Sequence, residues 1–425
     1  MTPARPRAWV VVTGSELVRG DRMDLNGPYL ASEALALGLD PVRISIVGDD
    51  PAELRAAVEE GLRADLCLLS GGLGPTHDDR TVAVVAEVAG LRLVVDEALE
   101  QEIGAVSRRF AERLRRPYEH FAPGVRKQAT LPEGAVSLGL AGTAPGLVLE
   151  HAGCVVVILP GPPRELQRLW PNARHTEPFR RLLERTHPPD RRLLRFFGAS
   201  ESTVAQALAD AGGDGGGVEA TICARDFEIH VDLVVAPGAE ERAAELERRL
   251  VEPVEPYLFA RDERPVEALV LELARARGWT LATAESCTGG MVATRLTDVP
   301  GASDVFVGGV VAYANELKRR ELGVPAELLE RHGAVSAEAA AAMAAGTRER
   351  LSADVALAVT GIAGPGGGTP EKPVGLVHLH VSSPDGETSR ELEITGDRDA
   401  IRRRATVTAL HLLRRVLSRN GHRDV

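Results

Sequence analysis

The chain has 425 residues, 44% hydrophobic and 26% charged, a soluble globular balance in a chain too long for one ordinary core; a prior of roughly 150 residues per domain gives two or three. Its net charge of −11 argues against a general nucleic-acid partner, since neutralising phosphates needs Lys and Arg in patches, and leaves small-molecule substrates as the expectation. Four cysteines at 67, 154, 223 and 287 form neither CxxC spacing nor a disulfide framework, no apolar run nears the roughly 18 residues of a membrane span, and the apolar part of MTPARPRAWVVVTGSEL is short for a signal peptide, so a cytoplasmic protein with free thiols and no membrane partner is expected.

From Trp9 to about Leu159, short apolar runs (AWVVVTG, VRISIVG, DLCLLSGG) alternate with amphipathic helical stretches (NGPYLASEALALGL, PAELRAAVEEGL, RTVAVVAEVAG). That pattern predicts an α/β domain over 1–187, built on a parallel sheet covered on both faces. Ligands gather at strand ends in such sheets. There the sequence places Glu16 in VVTGSEL, Asp49 and Asp50 in IVGDD, and the glycines of LLSGGLGPTHDDRT (Gly71, Gly72, Gly74), followed by Asp78 and Asp79. Glycines leave room for phosphates, and the adjacent carboxylates Asp78 and Asp79 suit a hard divalent ion such as Mg²⁺. Acidic residues in a first helical turn also serve as ordinary caps.

Two prolines and charges in HPPDRRLL mark a boundary, and 190–258 reads β-α-β-β-α, a small α+β unit. Its AGGDGGG holds a G-x-x-G spacing of the kind that clamps nucleic-acid backbones. Phe196 to Ala224 contains no Lys or Arg, so a spacer or dimerisation role is expected instead. After PVEPYLFARDERP the alternation resumes over 265–425, with strands at GWTLATA, GGVVAYA, DVALAVTG and GLVHLHVSS and a helix from about Asp399 to Ser418. A second α/β layer domain is predicted. The expected whole is two three-layer α/β domains joined by a small α+β middle domain.

In the last unit, LATAESCTGGMVATRL sets Ser286, Cys287 and Thr288 between a strand and a helix that Ser286 or Thr288 would cap. The amides at such a helix start favour developing negative charge, and Gly289 and Gly290 let a substrate approach. Downstream, GGVVAYANELKRR delivers Tyr313, Asn315 and Lys318 where a strand passes into a helix. Only three of the 50 cationic residues are lysine (127, 318 and 372), and Lys318 precedes two arginines. Lysine does what arginine cannot, losing its proton when desolvated to act as a base. A serine activated by such a lysine is one solution to amide hydrolysis, although spacing alone leaves Ser286 and Cys287 close to a tie. AVTGIAGPGGGTPEKPVG adds a strand end at Thr360 and Gly361 with a glycine-rich loop, and GDRDAIRRRA opens the last helix with arginines suited to an anion.

TAESCTGG, GGVVAYANELK, GVPAELLERHGAVS, AVTGIAGPGGGTPEKPVG and GDRDAIRRRA together resemble the C-terminal domain of the competence/damage-inducible CinA proteins, which is similar to nicotinamide mononucleotide deamidase. The resemblance implies hydrolysis of nicotinamide mononucleotide to nicotinic acid mononucleotide and ammonia without a cofactor. Ser286 would be the nucleophile, Lys318 its base and Tyr313 a hydrogen-bonding partner. Thr360 and Arg402 would be substrate-site residues, with Arg403 and Arg404 adjacent. VVTGSEL, SGGLGPTHDD, RKQATLPEGA, GTAPG and LPGPPREL resemble the other half of CinA, related to the molybdopterin-binding fold. That half implies an ADP-ribose pyrophosphatase using Mg²⁺ or Co²⁺, with Ser15, Asn26 and Lys127 in its motifs, or a nucleotide- or pterin-binding module that has lost catalysis. A competence-associated factor is the remaining alternative. The middle unit resembles the family's KH-type module, and a homodimer is implied. Three positions depart from the family pattern: Ser15 replaces Thr, DLN at Asp24 to Asn26 replaces NTN, and Val125 replaces the Asn before RKQA.

Overall fold

A computed structural model describes residues 5–418, so 1–4 and 419–425, the outer ends of the first and last expected domains, lie outside the described residues. The fold is mixed α/β, with several sheets flanked by helices. The chain divides into two compact units, Met1–Asp190 with Val235–Glu240, and Arg191–Val234 with Glu241–Val425.

The first unit is built on strands β1 (Arg7–Thr13), β2 (Asp40–Val47), β3 (Leu66–Ser70), β4 (Val136–Leu140), β5 (Pro145–His151) and β6 (Cys154–Leu159), in the order β2-β1-β3-β6-β5-β4. β1 pairs in parallel with β2 and β3, and β3 with β6. Alternate residues feed two cores: Val11, Cys67, Leu69, Val156 and Ile158 on one face, Val10, Val12, Leu66, Leu68 and Val157 on the other. Burial on both faces is why these strands read as continuous apolar runs. The sheet is not parallel throughout, because β5 runs antiparallel to β6 and to β4. The cause is local: β5 and β6 are joined by Ala152 and Gly153, both at positive φ, and so short a link permits only a hairpin. Helices α1 (Asn26–Ala36), α2 (Thr81–Val88) and α3 (Ala122–Gln128) bring residues to the strand ends.

Apart from the end residues Asp190 and Val235, the second unit holds strands β7 (Asp190–Phe196), β8 (Val218–Arg225), β9 (Glu228–Val235) and β10 (Leu258–Ala260), ordered β8-β9-β7-β10, with helix α4 (Glu201–Asp210). The glycines of AGGDGGG at 212, 213, 215, 216 and 217 are all at positive φ, and Arg242 donates to the Gly213 carbonyl at 3.2 Å. The following sheet comprises β11 (Leu281–Glu285), β12 (Phe306–Val311), β13 (Val355–Gly361), β14 (Leu376–Ser383) and β15 (Gly386–Glu393), in the order β12-β11-β13-β14-β15. β11 is parallel to β12 and β13, while β14 and β15 are antiparallel additions. β15 is not among the strands expected from the sequence. Its GETSRELE has no apolar run, because an edge strand open on one face can be polar at every other position.

Helices α5 (Val266–Arg277), α6 (Met291–Thr297) and α9 (Arg398–Ser418) bury Val270, Val292, Leu296 and Leu410 against one face of this sheet. α7 (Asn315–Leu322) and α8 (Ala337–Arg350) cover the other, where Ala284, Ala356 and Ala358 meet Leu322 and Met343. A Cβ on Gly346 of α8 would lie 1.7 Å from the Leu322 carbonyl oxygen, so this glycine sets how closely α7, and with it Lys318, approaches the sheet. Among the described residues no helix is long and apolar enough to cross a membrane.

Candidate active sites

Ser286 follows β11, and its amide bonds the Val359 carbonyl of β13 at 2.9 Å, fixing it at the carboxyl edge of the sheet. Lys318, one turn into α7, is 1% exposed, and its Nζ lies 3.0 Å from Ser286 Oγ. The ammonium also donates to the carbonyls of Ala312 at 2.8 Å and Tyr313 at 3.3 Å. No carboxylate pairs with it among the described residues. Burial pushes its pKa below the usual lysine range, and only the nearby Cys287 opposes the shift.

A cavity of about 210 Å³ opens on this pair, lined by Ser286, Tyr313, Asn315, Lys318, Thr360 and Gly361 among others. Five expected residues thus meet Ser286 in one hollow. The Thr360 hydroxyl donates to the Ala334 carbonyl at 2.7 Å, tying β13 to the cavity wall. Tyr313 is 57% exposed at the mouth, and its hydroxyl accepts from Arg398 Nη2 at 2.9 Å.

Several expectations are displaced. Arg402 does not line the cavity: its Nε donates to the Cys287 carbonyl at 3.0 Å and its Nη2 to the Thr288 carbonyl at 2.8 Å, so it braces the loop from behind. Arg398, one helical turn earlier, is the arginine in the lining, a position the sequence pattern does not single out. Neither Ser286 nor Thr288 caps α6. The buried Glu285 carboxylate does so, accepting from the amides of Gly290 at 2.9 Å, Val292 at 3.1 Å and Ala293 at 2.9 Å. A negative charge there satisfies orphan amides and the helix dipole together. Those amides are therefore not open to a substrate. Gly289 and Gly290, at φ of 61° and 99°, turn the chain from the serine into α6, and Thr288 is fully buried with no partner for its hydroxyl. Cys287 packs in the apolar core, 5% exposed, while also bordering the cavity, and burial pushes its thiol up to about 11. A thiol so raised stays protonated near neutrality, and it is Ser286 that lies within hydrogen-bond distance of Lys318. The third rare lysine is a strut: Lys372 Nζ donates to the carbonyls of His332 and Val335, each at 2.6 Å.

The first unit has a different hollow, about 370 Å³, at the carboxyl ends of β1, β3 and β6. Glu16, Asp49, Asp78, Asp79 and Glu165 line it, together with Gly71, Gly72 and Gly74, and no Lys or Arg does so. A Cβ on Gly71 would stand 2.6 Å from the Thr13 carbonyl oxygen, so this floor admits only glycine. A smaller hollow of about 160 Å³ adjoins it, sharing Gly72, Gly74, Asp79 and Gln128 and adding Lys127, whose Nζ bonds the Thr76 carbonyl. Thr76 was not singled out from sequence. Its hydroxyl lies against Asp78 and is 2.5 Å from Asp79 Oδ2, which also accepts the Thr76 amide at 3.0 Å. Glu165, the other residue missed, follows the LPGPP turn after β6, and burial raises its pKa.

Three other residues support the hollow. The Ser15 hydroxyl donates to Asp49 Oδ2 at 2.5 Å, outside the lining. Asn26 Nδ2 donates to Ser70 Oγ at 2.9 Å and the Gly161 carbonyl at 2.7 Å, joining two loops from behind. Asp50, a candidate from sequence, caps the Pro51–Gly61 helix by accepting from the amides of Ala52 and Glu53. Among the described residues no three His, Cys, Asp or Glu groups converge as a metal cluster. Asp78, Asp79 and Thr76 nonetheless form a set of hard oxygens, which fits a Mg²⁺-like ion that takes one or two carboxylates and completes its shell with water and substrate phosphates.

Residues 9–175 match the family model "Probable molybdopterin binding domain", and residues 263–417 match "CinA C-terminal domain". A "CinA-like protein" from Mycolicibacterium paratuberculosis is 44% identical over 436 residues, covering 98% of this chain and 99% of that one. The CinA-like protein of Mycobacterium tuberculosis is 43% identical over 424 residues, covering 97% of each. The chain belongs to the CinA family. Among solved structures, the competence/damage inducible protein CihA from Agrobacterium tumefaciens is 42% identical and covers 38% of this chain and 100% of its own, with a TM-score of 0.35.

The departures of this CinA chain from the family pattern fall away from the cavity walls. Val125 is 3% exposed in the core, while Gln128, one turn later on α3, faces the hollow. Asp24 accepts from the amides of Asn26 at 2.8 Å and Gly27 at 3.1 Å, which is the turn-forming role an Asn would fill.

Proposed function

We infer that the C-terminal half of this CinA protein is a Ser–Lys amidohydrolase that deamidates nicotinamide mononucleotide. The observation that carries the reading is Lys318 Nζ, buried and with no acid partner among the described residues, 3.0 Å from Ser286 Oγ. In the neutral form Lys318 takes the serine proton as Oγ attacks the carboxamide carbon. The lysine then passes that proton to the departing nitrogen, and ammonia leaves behind an ester on Ser286. Water, deprotonated by Lys318, cleaves the ester to release the carboxylate and restore the serine. The cavity takes the pyridine ring, and Arg398 at the mouth takes the phosphate end.

The N-terminal half would hydrolyse ADP-ribose to AMP and ribose 5-phosphate. Asp78 and Asp79, with Thr76 between them, would hold a divalent cation, which when bound neutralises phosphate charge and polarises the pyrophosphate. Glu16, Asp49 and Glu165 complete an acidic wall that admits such a nucleotide only with its cation. One assay tests both halves: the full chain with nicotinamide mononucleotide, and separately with ADP-ribose plus Mg²⁺ or Co²⁺, followed for ammonia and AMP. Ammonia lost in Ser286→Ala and AMP lost in Asp79→Asn are expected. Absence of ammonia from the intact protein sinks the amidase reading; absence of AMP with every cation leaves the N-terminal half a binding module.

A further inference from the structure

A hollow of about 360 Å³ in the second unit belongs to neither candidate active site. Its walls are Arg390 of β15, Arg404 of α9, the turn from Phe197 to Ser200 that opens α4, and Phe227 at the tip of the β8–β9 hairpin, with Glu393 also in the lining.

Arg390 occupies an inward position of the edge strand, in the alternating row with Thr388 and Leu392, and is half-buried. Among the described residues no carboxylate pairs with Arg390 or with Arg404. Burial and the charges of Arg415 and Arg404 all press its pKa below the usual arginine range. Two arginines thus line the hollow beside Glu393, with Arg415 close to Arg390, so the local charge is net positive and favours an anion. Helix α4 directs its amino end at the same hollow. Ser200 occupies the Thr203 amide, and the amides of the first turn add partial positive charge.

Phe227 supplies an independent sign. The β8–β9 hairpin turns through Asp226 and Phe227, at φ of 49° and 64°, a two-residue turn whose usual occupants are Asn and Gly. An aromatic residue in the left-handed region is strained by roughly 1–3 kcal/mol. That strain sets a ring, 42% exposed, at the wall of a cation-lined cavity.

We propose that this hollow binds a nucleotide, its phosphate held by Arg390 and Arg404 before the α4 amino end and its flat heterocycle stacked on Phe227. The size is at the lower end of small-ligand sites, which span roughly 300–1,000 Å³. Both proposed active sites also take nucleotides, so the test needs a local reporter. In the full-length Phe227→Trp chain, AMP quenches the introduced indole saturably. Inorganic phosphate displaces AMP without quenching, and adenosine alone binds at least about tenfold more weakly, as expected when a charge-assisted contact is lost. Arg404→Gln, at an exposed position, and Arg390→Gln each weaken AMP about tenfold with unchanged circular dichroism. Ser286→Ala and Asp79→Asn leave the quench as it was. Calorimetry on the chain carrying both of those changes, with Phe227 intact, gives the same AMP affinity. No saturable quench, a quench that survives both arginine substitutions, or one lost with Ser286→Ala overturns the proposal.

Discussion

Replacing Lys318 separates its roles as base and as packed side chain. Lys318→Met keeps the stem and removes the amine, leaving the carbonyls of Ala312 and Tyr313 and the Ser286 hydroxyl without their donor. Each buried acceptor so orphaned costs about 1–3 kcal/mol, while removing a buried ammonium returns a comparable amount, so the melting temperature should barely move. The reaction has no such compensation. Loss of a positioned general base lowers kcat by about 10²–10⁴, or about 2.7–5.5 kcal/mol of barrier. Lys318→Arg keeps the charge but not the ability to lose it, and should fail equally. In the wild type, ammonia release should rise about tenfold per pH unit until the lysine titrates, below the ordinary 10.5, and then level off. The sign for stability follows: between the depressed folded pKa and 10.5 the unfolded chain binds more protons, so stability rises with pH across that window in the wild type and not in Lys318→Met. Kinetics from pH 6 to 10 on both variants and on Ser286→Ala/Lys318→Met check this, the double variant being no slower than Ser286→Ala because the pair acts as a unit. A flat pH profile, or Lys318→Arg with a tenth or more of wild-type turnover, would refute the reasoning.

Cys287→Ala should retain near-normal ammonia release, and iodoacetamide at pH 7 should leave the wild-type enzyme active, because the thiol is pushed up to about 11 and is packed into the core; inactivation tracking alkylation of Cys287 would return the nucleophile to the cysteine. Glu285→Ala strips three helix amides of their acceptor and should lower stability by about 2–4 kcal/mol in denaturant titration, together with turnover, as the loop after Ser286 loosens. Asp50→Ala should cost about 1 kcal/mol as a lost cap yet leave AMP release intact, whereas Asp79→Asn abolishes it with little change in melting; the reverse pattern would exchange their roles. Glu228, 1% exposed and bonded to Arg195 and His411, should cost about 3–5 kcal/mol as Glu228→Gln, since its partners' charge is left buried. Burial works to raise its pKa, but hydrogen bonds from His230 and His411 and the Arg195 charge hold it well below the usual range, so its stabilisation is full above about pH 4.5 and fades in acid.

The sequence by itself determined what periodicity and rarity can carry. Strands buried on both faces appear as apolar runs, so the sheets were legible, and three lysines among 50 cations singled out Lys318 because an arginine there cannot serve as a base. Glycine-rich strand ends located both hollows, since only glycine tolerates the backbone approach seen at Gly71. Tertiary structure decided the direction in which each side chain points. Ser286 and Cys287 are adjacent in sequence and both border the cavity, yet only Ser286 is hydrogen-bonded to Lys318 while Cys287 is packed into the core. Arg398 and Arg402 lie one turn apart on α9, and only the cavity distinguishes the residue at its mouth from the brace behind the loop. Glu285 and Thr76 were invisible for the same reason: a carboxylate or hydroxyl acquires its role from the amides and acids that folding places around it, and sequence spacing does not encode those partners. β15 and its inward arginine were legible only after folding, for a polar edge strand carries no hydrophobic period to read.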